Sequence, residues 1–349
     1  MIDDISKKRV LFYSSVKNKR MFSIQGFYRT DIQILKENGF QVLLSNHYWD
    51  FFFFWKYDIT FIYFYRFGLF PAIISKCFFK NVYFTGGIDN LDLEYAGKKK
   101  HFTQKIFFKL CNFFSDTCII VSKADLKNIQ SIYNKKNTPK NLELSFHVID
   151  FNSYKYTFKN EKEKIMTTIA WMLREENVFR KGVDKTVEVF DSLRKIDNEW
   201  KLIIIGPKGD GTKIIEELIK KKGIEDSVFL VGSVTEKEKI NYLKRSKIYL
   251  QLSIYEGFGI AAIEALVAGN IVFHSGRGGL KDGIANFGIE VENFSNSQHI
   301  ASLISSTLKF ESDLKYQEFI TNGISYVEQN FSYAVRKAQF KKIIGRKLN

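Results

Sequence analysis

The stretch LSIYEGFGIAAIEALVAG, residues 252–269, constrains this chain more than any other. The segment IYLQL, residues 248–252, has the composition of a buried strand. Gly257 and Gly259 then turn the chain into an Ala/Leu-rich helix that stops at Gly269, the residue type favoured just past a helix end. Strand, glycine loop and helix start in direct succession leave main-chain N–H groups without intrahelical acceptors, beside roughly half a positive charge, so an anion is expected there. Glu256 lies in the loop and Glu264 eight positions on, inside the helix. Carboxylates repel a phosphate, so the two are expected to accept hydrogen bonds from hydroxyls of the same ligand. A central phosphate flanked by hydroxyls describes a nucleotide-sugar. The alternative is a structural strand–helix unit in which Glu264 steadies the helix start.

EGFGIAAIE, with its glutamates at 256 and 264, resembles the E-x7-E signature of the retaining glycosyltransferases of family 4 (group 1), which have the GT-B fold. The continuation GNIVFHSGRGGLKDGI resembles that family's strand and Gly-rich loop. The resemblance implies an α/β chain of two Rossmann-like, doubly wound parallel-sheet domains facing a central cleft, with a C-terminal helix crossing back. Residues 1–155 would bind the acceptor and residues 156–325 the nucleotide-sugar donor. Residues 326–349 would form the returning helix.

Composition agrees with two domains: 349 residues, 45% hydrophobic, are enough to bury two cores. The net charge of +15 is uneven, since residues 1–150 hold 22 Lys+Arg against 13 Asp+Glu and 21 of the 34 Phe. A basic, aromatic half suits an anionic membrane surface or a nucleic acid. No recognised nucleic-acid module accompanies the charge, so no nucleic-acid partner is expected. Cys77, Cys111 and Cys118 sit in apolar contexts without metal spacing, as in a reducing cytoplasm. The opening MIDDISKKRVLFYSS does not read as a signal peptide. The apolar window at 61–79 contains Arg66 and Pro71 and parses as strand, turn at 67–68, helix at 71–79 and a further strand, so no membrane span is expected.

Strands are predicted at 9–14, 40–44, 59–65, 82–85 and 117–121, with helices between them, the pattern of a parallel doubly wound sheet. No GxGxxG follows the first strand, which argues against a dinucleotide dehydrogenase. Ligands of such sheets bind beyond the strands' carboxyl ends, so Gly86, Gly87 and Asp89 of TGGIDNLD are cleft candidates, with Gly26 after the first strand. Asp89 either holds an acceptor hydroxyl or forms an Asx turn. Many members of the resembled family carry His-Gly where this chain has Gly-Gly-x-Asp. His147 is expected to be structural. The helix KKKHFTQKIFFKLCNFF, from Lys98 to Phe114, is basic with an aromatic side. It reads either as a peripheral contact with an anionic membrane or as a solvated charged face over a packed stripe.

The pattern restarts with predicted strands at 166–171, 201–205 and 228–231 and helices at 184–194, 212–222 and 237–245. Between them REENVFRKG, residues 174–182, is expected to be a loop. By resemblance, Arg174 and Lys181 contact the donor diphosphate, with Arg180 an alternative to Arg174. Glu256 holds a donor-sugar hydroxyl and Glu264 the ribose hydroxyls. Gly257, Phe258, Gly259 and Ile260 offer main-chain amides, and Gly206 and Gly232 approach ribose and base. Gly276, Gly278 and Gly279 border the pocket. No metal is expected, so protein cations would neutralise the leaving diphosphate.

The expectation is therefore a retaining hexosyltransferase using a UDP- or GDP-sugar, acting on a glycan or lipid-linked acceptor. The setting implied is bacterial surface polysaccharide synthesis (O-antigen, capsule or LPS), cytoplasmic or on the inner face of the membrane. A nucleotide-sugar epimerase of the same fold is the alternative.

Overall fold

The computed structural model describes residues 8–158, 161–309 and 313–345. The readings of the first seven residues and of the last four lie outside these. The chain forms two compact units: one runs to Val148 and resumes at Phe331, and the other is Ile149–Asn330.

In the first unit β1 (Arg9–Ser14) is followed by the short α1 (Met21–Ile24), α2 (Gly26–Glu37), β2 (Gln41–Ser45) and two 3-10 turns at Tyr48–Phe52 and Phe54–Lys56. Then come β3 (Ile59–Tyr63), α3 (Tyr65–Cys77), β4 (Asn81–Thr85), α4 (Leu93–Phe113), β5 (Thr117–Ile120), α5 (Lys123–Tyr133) and β6 (Leu142–Leu144). The six strands form one parallel sheet in the order β2-β1-β3-β4-β5-β6. β3 (ITFIY) is buried along its whole length, as expected of a parallel strand covered on both faces. Strand periodicity divides the core. Leu11, Tyr13, Ile62 and Phe84 face a layer containing the 3-10 turns, α3, α4 and α5. Val10, Phe12, Phe61 and Tyr83 face α2 and the chain's last helix.

Two predictions are corrected here. The turn expected at 67–68 lies inside α3, and Pro71 falls within the helix rather than at its start. Gly68 is there because a Cβ would stand 2.4 Å from the Phe84 ring and 2.6 Å from Ile62, so the helix can rest close on the sheet. The aromatic helix also begins earlier, at Leu93, capped by Asp92 and kinked at Gly97.

The second unit opens with α6 (Phe151–Tyr154) and β7 (Glu163–Ile169), followed by α7 (Glu175–Lys181), α8 (Val183–Arg194) and β8 (Lys201–Ile205). It continues with α9 (Asp210–Lys222), β9 (Val228–Gly232), α10 (Glu236–Arg245), β10 (Ser246–Gln251), α11 (Ile260–Val267) and β11 (Ile271–His274). Last are α12 (Leu280–Ile284), β12 (Ile289–Glu290), α13 (Ser297–Lys309) and α14 (Asp313–Phe331). Its sheet is again parallel, in the order β12-β11-β10-β7-β8-β9. The loop expected at 174–182 is instead the helix α7. Its first turn holds Glu175 and Glu176 and its last Arg180 and Lys181, the charge order that the helix dipole favours. α15 (Tyr333–Gly345) belongs to the first unit, where Phe340, Ile343 and Ile344 enter the core.

Candidate functional site

Strand order locates the site in the second unit. From β7 the chain winds outward through β8 and β9, then crosses back to place β10 on the other side of β7. At such a reversal the loops beyond the two strands diverge and leave a crevice. Beyond β7 lie Met172, Arg174 and α7; beyond β10 lies the Glu256 turn. The two are stitched together: the Ile254 N–H donates to the Arg180 carbonyl at 2.9 Å. Gly182 has φ +65, and a Cβ there would be 2.2 Å from the Leu252 carbonyl oxygen. Only glycine allows α7 to end so close to β10.

This closeness delivers Lys181 to Glu256. The Lys181 Nζ donates to Glu256 Oε1 in an ion pair that is mostly buried. Ser253 Oγ donates to the same oxygen at 2.8 Å and Gln251 Nε2 at 3.3 Å. Gln251 is itself oriented, because its Oε1 accepts from the Tyr249 hydroxyl at 2.6 Å and its Nε2 donates to Ser253 Oγ at 2.6 Å. All three donors converge on Oε1. Behind the turn, Gly278 (φ +62) would place a Cβ 2.1 Å from the Glu256 carbonyl oxygen, which accepts from the Gly279 N–H at 2.7 Å. The Gly276–Gly279 residues thus buttress Glu256 through the main chain. On the other flank the Gly206 N–H donates to the Gly232 carbonyl at 2.9 Å, joining the ends of β8 and β9.

Residues 155–325 match the family described as glycosyl transferases, group 1. The match takes in just under half of the chain, which over that stretch resembles the group 1 glycosyltransferases. The chain is 34% identical over 92 residues to a GDP-mannose:cellobiosyl-diphosphopolyprenol alpha-mannosyltransferase of Xanthomonas campestris, covering 26% of this chain and 24% of that protein. It is 24% identical over 184 residues to a phosphatidylinositol N-acetylglucosaminyltransferase subunit of Arabidopsis thaliana, covering 52% of this chain and 39% of that one. The matched stretches thus span a quarter to two-fifths of these relatives' length. Among solved structures, Anabaena HepE in complex with UDP and glucose superposes with a TM-score of 0.74 at 16% identity, over 97% of this chain and 100% of that one. The fold is GT-B.

Glu264 sits one turn inside α11 rather than at its start, and its carboxylate is buried. Lys239 of α10 donates to both its oxygens, at 3.1 and 3.0 Å, and also reaches Glu236 Oε1 at 3.1 Å. The Tyr154 hydroxyl donates to Glu236, and Lys239 lies over the Tyr154 ring. Burial holds the Glu264 carboxyl above its ordinary range although Lys239 pulls it down. For Lys239 burial opposes the charge, but the two carboxylates outweigh it and raise its pKa. An acid raised on folding contributes stability below its unfolded pKa of about 4.3 and loses it as pH rises through the folded value. Lys239→Ala should raise Glu264 further and widen that window. The variant should lose about 1–3 kcal/mol at about pH 7 and regain part of it towards about pH 5 in urea denaturation. A loss independent of pH would contradict the pairing.

The remaining predicted residues are not all brought together. Arg174 is exposed at the N-cap of α7, about 10 Å from Lys181 along the helix, where a cation opposes the dipole. Gly257, Gly259 and Ile260 lie at the α11 entrance, with Gly259 its N-cap at φ +83. Phe258 turns its side chain into the core. In the first unit Gly26 opens α2, while Gly86 (φ +113) packs against Phe64 and Gly87 against Asp89. Asp89 begins a 3-10 turn, and the neighbouring Asp92 supplies the helix cap of α4. Burial and Arg336 push the His147 imidazole down to about 3 against the pull of Asp31.

Gln251, Ser253, Lys239, Glu236 and Tyr154 escaped the sequence reading. Tyr249, Gln251 and Ser253 carried a signal, since alternate polar residues in a central strand share one face. Lys239 carried none. Among the described residues no group of three or more His, Cys, Asp or Glu is arranged to hold a metal ion, and no helix is long and apolar enough to cross a membrane.

Proposed function

We propose that this chain moves a sugar from a UDP- or GDP-sugar to a hydroxyl of a glycan or lipid-linked acceptor, with retention at the anomeric carbon. The observation that carries the reading is the Lys181–Glu256 pair at the strand-order reversal beyond β7 and β10. Three donors occupy Glu256 Oε1, so Oε2 is the atom that accepts from a donor-sugar hydroxyl and fixes the ring. One Lys181 N–H serves Glu256 and the others meet the diphosphate, together with the α11 entrance amides. Arg174 adds a second cation at the rim. Glu264 takes the ribose hydroxyls in exchange for part of its contact with Lys239.

As the bond from the anomeric carbon to the phosphate oxygen breaks, its electron pair stays on the leaving diphosphate. The acceptor oxygen attacks from the same face, and its proton passes to a phosphate oxygen. Charge then grows on the diphosphate, where Lys181 and the helix start are already placed, so nothing need reorganise. The named donor and acceptor of the Xanthomonas relative, GDP-mannose and a diphosphopolyprenol sugar, and the UDP and glucose bound by HepE, support this class of substrates. Surface polysaccharide assembly on a lipid carrier, at the cytoplasmic face of the membrane, is the setting we favour.

Thermal-shift titration with UDP- and GDP-sugars tests the donor. At a hundred times Kd, binding should add about 2.7 kcal/mol, or roughly 5–10 °C in Tm for a domain of this size. No shift with any of them would defeat the proposal. Mass spectrometry of donor alone separates transfer from epimerisation, because an epimerase alters its substrate without an acceptor.

A further inference from the structure

The helix α4 carries an exposed apolar stripe. Phe102, Ile106, Leu110 and Phe113 recur at helical spacing and are 62%, 41%, 42% and 78% exposed, while Phe108 and Cys111 on the opposite side enter the core. The reading of a packed stripe under a solvated charged face is thereby overturned. α4 is not alone. Its neighbour α3 exposes Phe67 and Phe70, and the 3-10 turns beside α3 expose Trp49, Phe52, Phe53 and Trp55. Ring contacts join these pieces: Tyr48 and Phe52 lie against Phe70, and Phe54 stacks on Phe78 at 4.1 Å. All belong to the one layer on the Leu11/Tyr13 side of the first sheet. Phe79, just after α3, is 96% exposed and held at φ +56, a left-handed conformation that a bulky residue adopts only at a cost.

Charge accompanies the aromatics. Residues 59–88 and 95–113 contain no Asp or Glu. They contribute Arg66 beside Phe67 and Lys98, Lys99, Lys100, Lys105 and Lys109 along α4. Of the acids nearby, Asp50 is bonded to Ser45 and Asp58 to Arg9, and Glu94 stands at the start of α4. Aromatic rings settle at the headgroup level of a bilayer, and lysines beside them extend to the phosphates. An exposed apolar face this long is unusual on a soluble chain without a partner.

We infer that the outer side of this layer, from the Trp49–Trp55 turns across α3 to α4, docks the first unit on an anionic lipid bilayer. The inference deepens the proposed function by giving its lipid-linked acceptor a surface at which to be met. It rests on that reading for the acceptor alone, because docking needs no substrate.

Co-sedimentation of the full chain with phosphatidylglycerol–phosphatidylcholine vesicles, against pure phosphatidylcholine vesicles, tests it. Binding should require the anionic lipid and weaken with salt. A lysine near such a surface is worth about fivefold in partitioning, so replacing Lys98, Lys99 and Lys100 with Glu should weaken binding by about a hundredfold or more. Trp49→Ser with Phe113→Ser should weaken it about tenfold or more at unchanged Tm, since both rings are exposed. Equal binding to both vesicle types, or no response to these substitutions, would overturn the inference. So would lipid-free self-association that the same substitutions abolish, because the face would then belong to a second copy. Anionic binding without any nucleotide-sugar binding would leave the docking intact and sink the proposed function.

Discussion

Lys181→Ala is expected to lower turnover by about a hundred- to a thousandfold, the scale of removing one preorganised donor to transition-state charge. Its cost to folding should be smaller. Glu256 loses one of three donors, but Ser253 and Gln251 still satisfy Oε1, so a loss of about 1–3 kcal/mol is expected rather than that of a stranded buried charge. Glu256→Gln sharpens the test. Its carbonyl oxygen still accepts from Lys181 and Ser253, so stability should stay near that of the parent while turnover falls. Lys181→Arg keeps the charge with a different shape and should recover part of the rate. Steady-state kinetics beside urea denaturation reads both quantities. If turnover and stability fall together across the three variants, the pair is structural and the phosphate role is lost.

How much of this arrangement the sequence disclosed depends on how local its cause is. The Glu256 turn and α11 were legible because glycine, carboxylate and helix start are neighbours in the chain. The buttress behind them was less so: Gly278 meets the Glu256 carbonyl across more than twenty residues, which spacing alone does not reveal. α3 was misread because Gly68 and Pro71 are local breakers, and the contacts that override them lie on Ile62 and Phe84 of the adjoining strands. α7 was missed because its charged residues show little apolar periodicity. Only Val178 of the helix is buried.

The same limit applies to sidedness. Periodicity marked the aromatic stripe of α4, but a stripe packed against a sheet and one turned outward have identical spacing. Burial decides, and it assigns Phe108 and Cys111 inward and Phe102 and Phe113 outward. Lys239 is the extreme case. A lysine four residues into a charged helix looks solvated until the fold brings Glu264, twenty-five positions away, against it.

The largest stability effect is expected at Arg336, a residue whose importance no motif announces. It is the largest fully buried side chain among the described residues, and it fastens α15 to the first unit. Its Nε and Nη2 donate to the two Asp31 oxygens at 2.7 and 2.8 Å, and its Nη1 to the Ser145 and Phe146 carbonyls at 2.7 Å each. The Tyr63 hydroxyl also donates to Asp31, so the carboxylate is fully engaged. Arg336→Met should strand Asp31 as a buried unpaired charge and cost about 3–5 kcal/mol. In Asp31→Asn with Arg336→Met no charge remains buried and Tyr63 keeps an acceptor, so more than half of that loss should return. Histidine supplies a second readout. Because His147 is depressed on folding to about 3, it contributes stability above its unfolded pKa of about 6.5 and loses it as pH falls towards the folded value. Removing the Arg336 charge raises the folded pKa, so the single variant should be less sensitive to acid across that window as well as less stable. Hydrogen exchange should localise the loss to the first unit. A double variant no better than the single one would show that the two carbonyl contacts, rather than the ion pair, hold α15 in place.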